Sequence, residues 1–233
     1  MIQPEEITRE EARKIIFPTS DIFSRYLLSS EKYKDLAKSF INAVLEDSGK
    51  TPVESITIKS PFNLADCFTG KESILDAATA DTEGRMYDIE IQNSSSPAFF
   101  QRIAYYWAEM YKSQLKNADS YDILRPCIMI GLMKEKLFTE TEKPHHISKV
   151  VDAEEPLLSY FSPADLMEYH ILELDRFEIN RNALYTVDRA GNKRRITPAL
   201  FSWLRFFKDG GREDFMKEYA ETDTCISEAK QAY

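Results

Sequence analysis

Cysteine is scarce: Cys67, Cys127 and Cys225 are an odd set with no Cys-x-x-Cys pair, which argues against both a disulfide framework and a zinc site. Cys127, inside Pro126-Cys127-Ile128-Met129-Ile130, reads as a small buried hydrophobe. No run of about eighteen apolar residues exists, and the N-terminus lacks a basic region followed by an apolar stretch, so neither a membrane span nor a signal peptide is expected. The expected location is the cytoplasm. Positive charge is also short, with 30 Lys and Arg against 39 Asp and Glu for a net −9. That counts against a simple nucleic-acid binder, because phosphate contacts come mainly from Lys and Arg. The deficit is uneven: residues 134–178 hold eleven acidic and five basic side chains, so a locally basic groove elsewhere stays open. What is present is a 43% apolar content in 233 residues, enough for a real core in one domain with appendages or in two small ones.

Along the chain, residues 1–17 read as a polar leader. Ser20 to Ser29 has a helix-like apolar face. A second helix follows, with Leu36, Ala37, Phe40, Ile41, Val44 and Leu45 on one side, and it stops at Ser48-Gly49. Glu54 to Ser60 alternates as a strand ended by Pro61. Ser96 and Pro97 suit a cap and a first helical turn, and the stripe Phe99, Phe100, Ile103, Ala104, Trp107, Met110, Tyr111 and Leu115 predicts the clearest helix of the chain. Pro126 to Met133 is a nearly continuous apolar run that fits a strand buried on both faces. Strand character recurs at His146–Val151 and Met167–Leu174. Thr197-Pro198 opens a helix that ends at Gly210-Gly211. A last helix-like stretch from Arg212 has no clear stop signal at Tyr233, which reads as a chain cut short of its natural end.

Residues 74–92 predict a β-hairpin around Gly84, which can take the positive φ of a short loop. With the turn centred on Glu83, Asp76 lies opposite Glu90; Asp88, Glu90 and Gln92 share one face, and Ile89 and Ile91 turn to a core. Two facing carboxylates are costly unless a cation binds them, and a divalent metal is one candidate.

The order α-β-β-β-α-β, with Asp on the second strand and Glu-x-Gln on the third, resembles the PD-(D/E)XK nuclease superfamily, and within it the transposase-like Rpn branch of recombination-promoting nucleases. The residues that carry the likeness are Asp21-Ile22-Phe23, Leu75-Asp76, Tyr87-Asp88-Ile89-Glu90-Ile91-Gln92, Arg102-Ile103-Ala104-Tyr105-Tyr106, Tyr111-Lys112-Ser113-Gln114-Leu115, Tyr121, Leu124 and Pro126. Further on, His170 to Phe177 and Trp203 to Phe207 continue it. The resemblance implies an α/β restriction-endonuclease-like core over residues 18–135, a mixed sheet flanked by helices, with a C-terminal α+β extension over 136–233 packed on it. It implies Mg²⁺-dependent hydrolysis of DNA phosphodiesters, with Mn²⁺ as a second metal, linked to recombination or mobile elements. Asp76, Glu90 and the carbonyl of Ile91 would bind the metal. The superfamily usually has Lys where Gln92 stands, and an amide can position water but brings no positive charge.

Other residues carry a plain reading beside the functional one. Asp21 is a candidate for the metal's surroundings but reads first as a helix-start cap. Arg102 is the best phosphate contact on its helix, with Gln101 and Gln114 beside it. Tyr105 and Tyr106 can stack on bases, whereas Trp107 reads as core. Asp88 reads as a surface residue near the strand start, beside the alternative of an acceptor supporting the site. His145, His146 and His170 show no metal-ligand spacing, and Lys193-Arg194-Arg195 reads as a solvated turn or a contact to DNA backbone. The expected partner is DNA, with no membrane, and a homodimer by analogy with enzymes that cut both strands. The competing expectations are a degenerate member that binds nucleic acid or protein without cutting, and an interaction domain whose acidic 134–178 segment recruits a basic partner.

Overall fold

Alternating and continuous apolar runs assemble here into one mixed sheet with helices on both faces. The computed structural model describes residues 17–59, 78–94, 96, 98–141, 143–152, 154, 166–176, 185–187, 193–210 and 227–229. Asp76, with the rest of residues 74–77 at the start of the expected hairpin, and most of the stretch after Arg212 lie outside them.

Helix α1 (Asp21–Ser29) and helix α2 (Lys34–Asp47) come first. Strand β1 (Ile56–Ile58) is shorter than its alternation suggested, and Asn42 of α2 pins its approach by exchanging hydrogen bonds of 2.7 and 3.0 Å with the Val53 backbone. Strands β2 (Thr79–Asp81) and β3 (Met86–Gln92) follow. Their register, Thr79 with Tyr87 and Ala80 with Met86, is symmetric about Glu83, as the hairpin reading assumed. Gly84 has φ +81°. The turn is closed by Asp81, whose carboxylate accepts from the backbone N–H of Glu83 and Arg85, from Arg85 Nε at 2.7 Å and from the Tyr87 hydroxyl at 2.9 Å.

Helix α3 (Phe99–Lys112) crosses to β4 (Cys127–Met133), which is buried along its whole length. The expected Ser96 cap is not formed. The N-cap is Ala98, two residues later, with no side-chain cap bond; Ser96 instead closes the turn before it, its Oγ accepting from Ala98 N–H at 3.3 Å and its carbonyl from Phe99 N–H, and Pro97 lies outside the described residues. Strands β5 (His145–Lys149) and β6 (Met167–Glu173) follow, then a small hairpin of β7 (Tyr185–Val187) and β8 (Lys193–Arg195). Lys193–Arg195 is thus a paired strand rather than a turn. Helix α4 (Pro198–Asp209) starts at Thr197, whose side chain accepts from Leu200 N–H as the cap-plus-proline pattern requires.

The six-stranded sheet runs β1-β2-β3-β4-β6-β5. β1 to β3 form an antiparallel meander, β3, β4 and β6 are parallel, and β5 is antiparallel. This is the expected mixed α/β sheet. Residues past 135 supply two of its strands, and α4 packs on α2 within the main core.

Two clusters sandwich the sheet. On one face Tyr87, Ile89, Ile91, Ile128, Ile130, Leu132 and Leu172 meet α1, α2 and α4, with Phe40, Trp203 and Phe207 at the centre. On the other, Met129, Met133 and Ile171 meet Phe99, Ile103 and Met110 of α3. Gly131 permits this second contact: a Cβ there would stand 2.9 Å from Phe99 Cζ, so a side chain would push α3 off the sheet.

Candidate active site

Residues of even number on β3 face α3, and those of odd number face the main core. Asp88, Glu90 and Gln92 therefore lie under α3, in register with Met129, Gly131 and Met133 of β4. Because β3 is an inner strand covered by helices on both sides, Asp88 and Glu90 are 0% and 3% exposed. This corrects the surface reading of Asp88.

Glu90 is where the polar groups converge. Its Oε1 accepts from Gln92 Nε2 at 2.8 Å and lies 3.1 Å from Arg102 Nη2. Gln92 Nε2 also donates to the Ile91 carbonyl at 3.1 Å. One amide thus bridges two of the groups that the family likeness assigned to a metal, the Glu90 carboxylate and the Ile91 carbonyl. Ile103 and Phe99 anchor α3 on the sheet, which leaves Arg102 on the flank that overhangs Glu90, with about a third of its side chain exposed. Its Nε and Nη2 are buried atoms without a hydrogen bond among the described residues.

Asp21 is exposed in the first turn of α1, and the cap position belongs to Ser20. Asn93, next to Gln92, donates to the Thr19 carbonyl at 2.7 Å, so the start of α1 adjoins the end of β3 that carries the site. Gln114 is elsewhere. Its amide exchanges hydrogen bonds with the Arg125 backbone and meets Cys127 Sγ, at the opposite end of the parallel pair β3–β4. Burial holds the Cys127 thiol up at about 12 despite that contact, so it is not a nucleophile. Trp107 is half-buried, donates to the Cys127 carbonyl at 3.0 Å and stacks on Tyr111. Tyr105 is exposed, on the same helix as Arg102.

Two clusters escaped the sequence reading. Glu173 stands in the cross-strand row Gln92, Met133, Glu173, close enough to suggest a further ligand. Its oxygens are committed to Leu137 and Phe138 N–H, Arg176 and His146. Burial alone would raise this carboxyl, but those donors outweigh it and hold it at about 2. On the opposite face Asp47, His145, His170 and Glu168 form a sealed chain. Asp47 meets His145 Nδ1 at 2.7 Å, His145 Nε2 meets His170 Nδ1 at 2.9 Å, and His170 Nε2 meets Glu168 at 2.6 Å. Lys50 and Lys149 close the Glu168 end at 2.7 Å each, and Asp47 also accepts from Thr197 N–H. A faint signal was present: Glu168 and His170 share the parity of Leu172 on a strand whose partner β4 is wholly apolar.

The donors at Glu90 are hard oxygens, a carboxylate and a peptide carbonyl, the chemistry that Mg²⁺ and Mn²⁺ favour. Among the described residues no group of three His, Cys, Asp or Glu side chains is placed to hold a metal, and no helix is long and apolar enough to cross a membrane. A family model described as PD-(D/E)XK nuclease family transposase matches residues 18–233. No curated protein and no solved structure matches.

Proposed function

The chain belongs to the PD-(D/E)XK nuclease family transposases, and from that premise we propose that it is a Mg²⁺-dependent DNA endonuclease acting in transposition or recombination. The observation that supports this most is the convergence on Glu90. A nearly buried carboxylate at the carboxyl ends of the parallel strands is met by an amide and a guanidinium at one oxygen, a place where ligands of open α/β sheets commonly sit.

Asp76, Glu90 and the Ile91 carbonyl are the residues that would hold Mg²⁺, with Mn²⁺ as an alternative. The ion, when bound, acidifies a water and offsets charge on the phosphoryl oxygens. Hydrolysis joins the water oxygen to phosphorus and breaks one P–O ester bond; one water proton ends on the leaving oxygen and the other passes to solvent. Gln92 can orient that water through its amide. Tyr105, exposed beside Arg102, offers a surface for a base. Cutting both strands would call for two copies of the chain.

Supercoiled plasmid incubated with Mg²⁺ or Mn²⁺ tests the reading. Nicking by the wild type that disappears in both Asp76→Ala and Glu90→Ala supports it, and equal nicking by all three proteins removes the site. DNA binding without cleavage would favour a degenerate member, a reading that Gln92 in place of lysine motivates.

A further inference from the structure

A site built on two carboxylates needs a positive side chain near the scissile phosphate, and the strand position that usually carries one holds Gln92. The amide is committed as well, bound to Glu90 Oε1 and to the Ile91 carbonyl. Arg102 comes to the same oxygen from α3, at 3.1 Å. Its place is fixed by packing: Phe99 and Ile103 are buried on the sheet, and Phe99 sits over Gly131, the register partner of Glu90. A guanidinium has five donors in a planar fork; here the ion pair is made through Nη2, and about a third of the side chain is exposed. The ion pair with Glu90 therefore leaves directional capacity for phosphate oxygens.

We propose that Arg102 is the site's resident positive charge, supplying from the helix to Glu90 and to the scissile phosphate what a lysine at position 92 would supply from the strand. This rests on the nuclease reading, and it makes Arg102 a catalytic residue that touches substrate. The cation lies off the strand, so its distance from the metal-ligand strand is set by the packing of α3 on the sheet through Phe99, Ile103 and Met110.

The test compares wild type, Arg102→Gln, Gln92→Lys and the double variant as full chains, with far-UV circular dichroism and melting curves as folding checks. Where the wild type cuts plasmid, Arg102→Gln is expected to lower kcat about 100-fold, the typical cost of one lost transition-state donor, with little change in KM for DNA. The double variant is expected to regain about tenfold or more of that loss, because the strand then carries the charge. Gln92→Lys alone is expected to cut below the wild-type rate, since the charge is already present and the amide that orients the water is lost. Calorimetric Mn²⁺ titration reads the same residue without cleavage. Loss of a cation beside Glu90 is expected to tighten Mn²⁺ binding about three- to tenfold.

Arg102→Gln cutting at the wild-type rate, failure of the double variant to recover, or Gln92→Lys cutting well above wild type would each overturn the proposal. So would unchanged Mn²⁺ affinity in Arg102→Gln. A folded wild type that never cuts removes the nuclease reading instead, and the titration still decides whether Arg102 opposes a cation at Glu90. If Arg102→Gln does not fold, Arg102→Lys, which keeps the charge, takes its place and is expected to leave Mn²⁺ affinity near that of the wild type; a three- to tenfold tightening with the charge kept would overturn the proposal.

Discussion

The two faces of the sheet each bury ionisable side chains, yet they bury them differently. Under α3, Glu90 is met by an arginine with about a third of its side chain exposed. Under α2 and α4, Asp47, His145, His170 and Glu168 have side chains 0–1% exposed, and both ends of the chain are closed, by Thr197 N–H and by two lysines. Burial of charge is thus a poor guide to chemistry by itself. What separates the faces is whether the polar groups are exhausted on one another or kept available to an incoming group.

The largest expected effect comes from breaking the available cluster. Glu90→Ala should reduce plasmid cleavage about 1000-fold or more, roughly 4 kcal/mol of barrier at 1.36 kcal/mol per decade. Its melting temperature should stay close to wild type, because the partner left behind, Arg102, is partly solvated. A variant that loses both activity and fold would show that Glu90 is structural, and the contrast between the faces would fail.

Asp47→Ala should do the reverse. It strips the carboxylate from a buried chain and leaves His145 Nδ1 and Thr197 N–H without their partner. Removing one partner of such a network typically costs about 3–5 kcal/mol, a fall in melting temperature of about 6 °C or more for a chain of this size. Cleavage per folded molecule should be unchanged. Urea midpoints with activity corrected for the folded fraction would check both halves, and a specific loss of cleavage would tie the sealed chain to the site.

These two clusters also mark what the sequence could and could not disclose. Periodicity exposed α2, α3, β4 and β6, because each buries one face or both and composition follows burial. The Glu83-centred turn and Gly84 were legible for the same local reasons: alternation on each side and a residue able to take positive φ. That Glu90 and Gln92 share one face was legible from their spacing on one strand. Asp88 was misread because a single strand does not reveal that a helix will cover it. The histidine chain was invisible because its members come from α2, β5 and β6, with 98 residues between Asp47 and His145. No local pattern encodes a contact of that span. The Arg102–Glu90 ion pair was half legible, as a phosphate contact on the right helix, but its reach back to the carboxylate depends on how closely α3 sits over Gly131.

The pH dependence of stability should arise mainly in the sealed chain. Burial lowers His170 to about 4, against the pull of its Glu168 hydrogen bond. Burial alone would raise Glu168, but the bonds from His170, Lys149 and Lys50 outweigh it and hold the carboxyl well below its usual range. For His170 the unfolded chain takes up a proton that the folded one refuses, so stability falls as pH drops below about 6.5 toward 4. For Glu168 the folded carboxylate resists protonation, so its contribution is full above about 4.5 and is lost at lower pH. Both slopes have one sign. Urea midpoints between pH 7 and 4 should fall steadily in wild type and less steeply in His170→Asn; equal slopes would mean that the titration lies elsewhere.

The smallest effect should come from trimming the closure at Glu168. Lys50 and Lys149 both approach its Oε2 at 2.7 Å, with about a third and an eighth of their side chains exposed, so each is redundant with the other and partly screened by water. Lys50→Ala should cost only about 0.5–1 kcal/mol, the scale of a solvent-exposed ion pair. Lys149 would still neutralise Glu168, and His170 would keep its acceptor. The double variant Lys50→Ala with Lys149→Ala should cost more than the sum of the singles, because only then is the carboxylate left with His170 alone. Strict additivity in urea denaturation would show that the lysines do not back each other up. The sealed cluster would then be less closed than the one under α3 is open, and the contrast between the faces would be one of degree.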